Sequence, residues 1–171
     1  MDLTCLQASF VVSCFRVGHQ QKYGVHAKYS MISNNYSGCG AITLRQMDSK
    51  VFLAQRKFTK SFDGGLWETI GGGIEPYDID ARACIEREIK EELGTGIKSV
   101  QEFKDYGVRK DNHHFLIKVF IVELDKDPNP NPNDFDASGW FDKDEIKELE
   151  LVSNCRERLE DYFSVRKTLD L

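Results

Sequence analysis

No stretch of this sequence stays apolar long enough to cross a bilayer as a helix, and no two of its five cysteines stand at the C-x-x-C spacing of a zinc or dithiol site. The first absence argues against a helical membrane protein. The second leaves Cys5, Cys14, Cys39, Cys84 and Cys155 dispersed and odd in number, which reads as reduced thiols in a cytoplasmic protein. A basic excess is missing as well: the formal net charge is -5, which argues against a broad nucleic-acid surface. The apolar patches between Leu3 and Phe15 follow Asp2 without a basic run, so they do not read as a secretion signal. What is present is ordinary for one compact domain: 171 residues, 40% hydrophobic and 30% charged.

Against that background one segment stands out, GGGIEPYDIDARACIEREIKEELG, running from Gly71 to Gly94. Ile85, Ile89 and Leu93 recur one turn apart, with Cys84 beside them, and predict a helix over Ala81 to Leu93 with a buried apolar stripe. Asp80 stands where an N-cap belongs and Gly94 where a left-handed C-terminal cap belongs. Glu88, Glu91 and Glu92 fall three and four apart, so they share another face. Helix stability gains nothing from three neighbouring like charges. A hard divalent cation such as magnesium or manganese would relieve their repulsion, and a glycine turn lets backbone oxygen approach it. The plainer account is a solvated acidic face softened by Arg87 and Lys90.

The pattern elsewhere predicts strands at Gly40 to Gln46, Val51 to Lys57, Gly65 to Ile70, Val100 to Val108 and His114 to Leu124, with a last short one at Trp140 and Phe141. A closing helix over Asn154 to Leu169 would turn Leu159, Tyr162, Phe163 and Leu169 inward. Strands interrupted by one helix and closed by another suggest an α/β fold with a mixed sheet between helices.

Arg87, Glu88, Ile89, Glu91, Glu92 and Gly94, with the approach GLWETIGGGIEP from Gly65 to Pro76, resemble the Nudix box of MutT-like hydrolases. Two positions depart from its pattern. The stretch before the helix is one residue longer, so Ile79 falls where an early glutamate belongs and Asp78 is the nearest acid; Thr95 takes the final aliphatic position.

The resemblance implies an α/β/α sandwich with a mixed β-sheet over residues 38–171; residues 1–37 precede it and read as an extension packed on the domain, adding strands or a homodimer contact. It also implies hydrolysis of a diphosphate linkage in a nucleoside diphosphate derivative, whether nucleotide sugar, ADP-ribose-like compound or nucleoside triphosphate, by metal-activated water. Glu88, Glu91, Glu92 and the carbonyl of Gly72, or of Gly73, would then ligate magnesium or manganese, with Glu92 and Glu91 also catalytic and Arg87 orienting the carboxylates. Asp134, ahead of Trp140, is a further catalytic candidate and Asp136 a lesser one, although their Asn/Pro-rich surroundings also suit a solvated turn. Arg56 and Arg109 could meet substrate phosphates and Trp67 a base, each with an ordinary surface or core role as the alternative. The expected partner is a small nucleotide, not a membrane or nucleic acid. A reading of another class is a nucleotide sensor or interaction module that keeps the fold without catalysis.

Overall fold

A computed structural model describes residues 36–45, 47–110 and 113–169. The expectations for residues 1–35 lie outside the described residues. In chain order come β1 (Gly38–Arg45), β2 (Lys50–Arg56), β3 (Trp67–Glu68), β4 (Ile70–Gly73), α1 (Ala81–Leu93), β5 (Ile97–Lys110), β6 (His113–Leu124), β7 (Phe135–Phe141), α2 (Lys143–Lys147) and α3 (Cys155–Leu169).

The sheet is mixed: β1 runs parallel to β6 and antiparallel to β2 and β4. Its main path is β3-β2-β1-β6-β5, with β4 paired to the start of β1 and β7 to β2. Because successive strand residues face opposite ways, neighbours in sequence belong to different halves of the core. Ala41, Phe52 and Phe120 pack toward Cys84, Ile85, Ile89 and Leu93 of α1. Ile42, Leu53 and Val119 pack toward Ile146 of α2 and Leu159 and Tyr162 of α3. This is the expected α/β/α sandwich.

Helix α1 has the predicted bounds and both predicted caps. Asp80 is extended at φ -159° and accepts the Ala83 N–H at 2.7 Å; Gly94 is left-handed at φ 62° and donates to the Lys90 carbonyl at 3.2 Å. Ile85, Ile89 and Leu93 are fully buried, a stripe in which each side chain contributes about 1.5–3 kcal/mol.

Several bounds differ from expectation. The glycines before the box form a strand rather than an open turn: Gly71, Gly72 and Gly73 pair with Gly40, Cys39 and Gly38. A Cβ on Gly71 would stand 2.4 Å from the Cys39 carbonyl oxygen, so the two backbones meet more closely than side chains permit. β7 begins at Phe135, well before Trp140, because pairing with β2 imposes the strand on a polar segment. The short α2 is set by a capping box between Asp142 and Glu145. The expectation for the Leu169 side chain lies outside the described residues.

Candidate active site

Arg87 is the centre of the site. Its Nε donates to Asp78 Oδ1 at 3.1 Å and its Nη2 to Asp78 Oδ2 at 2.9 Å, a two-point clamp, and Nη2 also reaches the Gly73 carbonyl at 3.0 Å. Through Nη1 it donates to Glu88 at 2.6 Å and Glu91 at 3.2 Å. One guanidinium thereby ties the end of β4, the loop before α1 and the acidic face of α1 together. Asp78 also accepts the Glu75 N–H at 2.8 Å, and its side chain is only 3% exposed. Burial works to raise Asp78's pKa, but Arg87 and the Glu75 N–H outweigh it and hold the carboxyl below its ordinary range. The longer loop has moved the arginine's acid to Asp78, while Ile79, at the expected spacing, is 69% exposed.

The glutamates have different surroundings. Glu88 is part-buried and its carboxylate lies against the Cα of Gly72, where a Cβ would lie 2.2 Å from Glu88 Oε1. Glu91 is half exposed. Glu92 Oε2 is shielded from solvent and has no hydrogen-bond partner. Burial first, then the charges of Glu88, Glu68 and Asp134, push Glu92's carboxyl well above the ordinary range, with the Gly71 N–H opposing. Burial raises Glu88 and Glu68 as well, against the pull of Arg87 and Arg56 respectively.

The Asn/Pro-rich segment is bound to the end of α1, not loose in solvent. Asn129 N donates to the Leu93 carbonyl at 2.9 Å and Asn131 N to the Glu92 carbonyl at 2.8 Å, supplying donors that a helix C-terminus lacks. Asp134 is thereby brought within electrostatic reach of Glu92. Its carboxylate accepts from Lys60 Nζ at 3.1 Å and Asn131 Nδ2 at 2.9 Å. Asp136 instead accepts the Phe58 N–H at 2.8 Å, with Lys57 Nζ at 3.4 Å, and braces the loop after β2.

The other expected contacts divide by sheet face. Arg56 Nη1 donates to both oxygens of Glu68, at 2.8 and 3.0 Å, on the acidic side. Trp67, read as a base-stacking candidate, is a packing residue: its neighbour Glu68 faces Glu92, so strand alternation turns Trp67 toward α3. There it meets Phe141 edge-on, with centroids 5.0 Å apart. Arg109 lies in β5 opposite His114, and the expectation for its side chain lies outside the described residues.

Sequence reasoning missed two cations. Lys60 carried no motif and reaches Asp134 only through the fold. Arg158 is 7% exposed on α3, with its Nε sealed and unpartnered and its guanidinium over Tyr106. Burial lowers its pKa. Helical periodicity alone could have marked it, since Arg158 adjoins Leu159 on the buried side of α3.

Among the described residues no three His, Cys, Asp or Glu side chains are gathered ready to hold a metal ion. Arg87 pairs with Glu88 and Glu91 there. The donor chemistry nevertheless fits a hard divalent cation: every candidate ligand is oxygen, and the orphaned Glu92 Oε2 lies among like charges.

A mixed sheet between helices, with a glycine strand leading into a capped helix of arginine-organised glutamates, is a fold and site shared by a class of proteins. The family model of the NUDIX domain matches residues 36–162, and the chain belongs to the Nudix family. It is 47% identical over 49 residues to the CTP pyrophosphohydrolase of Escherichia coli (strain K12), covering 29% of this chain and 35% of that protein. The match thus spans about a third of that curated relative's length. The fold resembles a MutT NUDIX hydrolase from Burkholderia pseudomallei, with TM-score 0.63 and 26% identity over 72% of this chain and 94% of that one. It also resembles MutT from Methanosarcina mazei Go1, with TM-score 0.64 and 16% identity over 80% of this chain and 99% of that one, a likeness of fold. Among the described residues no helix is long and apolar enough to cross a membrane.

Proposed function

We propose that this chain hydrolyses a diphosphate linkage in a nucleoside diphosphate derivative or nucleoside triphosphate, using magnesium or manganese. The observation that carries the reading is Glu92: a shielded carboxylate oxygen without a partner, among Glu88, Glu68 and Asp134. The cation would be held by Glu88, Glu92 and Glu91, with Gly72 lending backbone oxygen. Neutralising the diphosphate and acidifying the attacking water are what such a cation supplies when bound.

The chain's own groups do the rest. Glu92, with a carboxylate oxygen that no other group engages, accepts a proton from water. Arg87 positions Glu88 and Glu91 without touching substrate. Lys60 and Arg56, each paired with a carboxylate on this side of the sheet, supply positive charge to substrate phosphates. Asp134 takes a supporting role beside Glu92.

The E. coli relative's name supports including CTP among the substrates tried. The test is phosphate, diphosphate and monophosphate release from nucleoside triphosphates, nucleotide sugars, ADP-ribose and dinucleoside polyphosphates with either metal, in the wild type and Glu92→Gln. Metal-dependent turnover that collapses in the variant is the expected result. Saturable nucleotide binding with no turnover on any compound would overturn the hydrolase in favour of a sensor.

A further inference from the structure

Cys39 and Cys84 are buried against each other, on β1 and α1, with their sulfurs 2.6 Å apart. The two residues are 45 positions apart in sequence, so only the packing of α1 on the sheet joins them. Cys84 Sγ also donates to the Gly73 carbonyl at 3.4 Å and accepts from Arg87 Nη2 at 3.6 Å. Cys39 pairs in register with Gly72. The thiol pair therefore lies directly beneath the glycine strand, behind Glu88.

We propose that Cys39 and Cys84 are a redox modification site, forming a reversible disulfide that ties α1 to β1 beneath the glycine strand, with a hydroperoxide as the oxidant. A formed bond is about 2.0 Å long, so closure asks little movement of either backbone. Cys39 is 4% exposed as a residue and Cys84 0%, so Cys39 is assigned as the residue that a water-sized peroxide meets first. Cys39 gives up its thiol proton and its sulfur attacks a peroxide oxygen; the S–O bond forms, the O–O bond breaks, and the departing hydroxide, or alkoxide from an organic peroxide, takes that proton and leaves as water or alcohol, with Cys39 now a sulfenic acid. The Cys84 sulfur then attacks the sulfenic sulfur; the S–S bond forms, the S–O bond breaks, and the Cys84 proton leaves with hydroxide as water. In sum two thiols lose two electrons and two protons, and one peroxide is reduced.

Cys155 is the internal comparison. It is 1% exposed in the core on the other face of the sheet, and it pairs with no other cysteine among the described residues. Burial alone therefore does not distinguish it from Cys39 and Cys84; proximity does.

The experiment treats the full chain with hydrogen peroxide, unfolds it in excess maleimide and maps the cysteine peptides by mass spectrometry, before and after dithiothreitol. The expected result is a peptide pair joined through Cys39 and Cys84, lighter by two hydrogens and released by dithiothreitol. It should persist in Cys155→Ser and disappear in Cys39→Ala and in Cys84→Ala. Hydrogen exchange at Gly71 to Gly73 should slow in the cross-linked protein, and Tm should rise by roughly 5 °C or more. Recovery of both residues as maleimide adducts would overturn the proposal. So would over-oxidation without a cross-link, or bonding of either residue to Cys5 or Cys14 instead. None of these readouts depends on activity, so failure of the proposed hydrolysis and failure of this site are separable.

Discussion

Arg87 and Asp78 face each other in a two-point ion pair, Nε to Oδ1 at 3.1 Å and Nη2 to Oδ2 at 2.9 Å, with side-chain exposures of 14% and 3%. The same guanidinium holds Glu88, Glu91 and the Gly73 carbonyl. Loss of its main acid therefore affects the whole site.

Asp78→Asn is expected to destabilise the fold by roughly 1–3 kcal/mol, the cost of weakening charge-assisted hydrogen bonds while Glu88 and Glu91 still neutralise Arg87. Urea unfolding measures this. Ile79→Ala, at the exposed neighbouring position, should stay within about 0.5 kcal/mol of wild type. Equal losses in the two variants would show that Asp78 is not the arginine's anchor.

Gly72→Ala should fold, because Gly72 does not need a left-handed backbone, but the new Cβ would fall 2.2 Å from Glu88 Oε1. Glu88 must swing aside, and turnover should drop by about 10²-fold, as for an ångström-scale misplacement. At Gly73 a Cβ meets nothing closer than the Ser37 carbonyl oxygen at 4.0 Å, so Gly73→Ala serves as the tolerated control in the same assay.

In metal-free protein Glu92 gives stability a definite slope with pH. Its carboxyl is raised above the ordinary 4.5, so between that value and its folded one the native state holds a proton that the unfolded state has lost. Stability should therefore fall as pH rises through that window. Asp78, depressed below 3.8, has the opposite sign: its contribution is present above that value and disappears only as pH falls through its lower folded value. Thermal melts in chelator from about pH 5 to about pH 8 should show the decline in wild type and a flatter profile in Glu92→Gln. That variant should be more stable without metal by on the order of 1 kcal/mol, yet lose about 10²- to 10⁴-fold in turnover.

Arg158→Leu removes a buried guanidinium whose Nε has no partner. A leucine of suitable length in that apolar layer should raise stability by about 1 kcal/mol or more, measured by the denaturation midpoint. A marked loss of stability would mean that the stacking on Tyr106 outweighs the desolvation of the charge.

The residues that organise α1 are legible in the sequence. Its bounds, caps and buried stripe follow from a period of 3.6 and from side chains that satisfy helix ends locally. The strands of β1, β2 and β6 were legible for the same reason, as alternating apolar residues with local turn signals. Of β7 only the end, Trp140 and Phe141, was legible, because Asp136 to Gly139 carry no periodic signal and are held in place by β2; α2 was not.

Residue order is enough to place helix α1, its acidic face and the family that the box marks. Packing settles which acid holds Arg87, which side of the sheet Trp67 faces, and that Asp134, Glu68 and the Cys39–Cys84 pair converge around the glycine strand. The division has a physical cause. Periodicity and capping act within about a turn of the chain, whereas the charge environment of a carboxylate depends on groups that only sheet pairing and helix docking bring near.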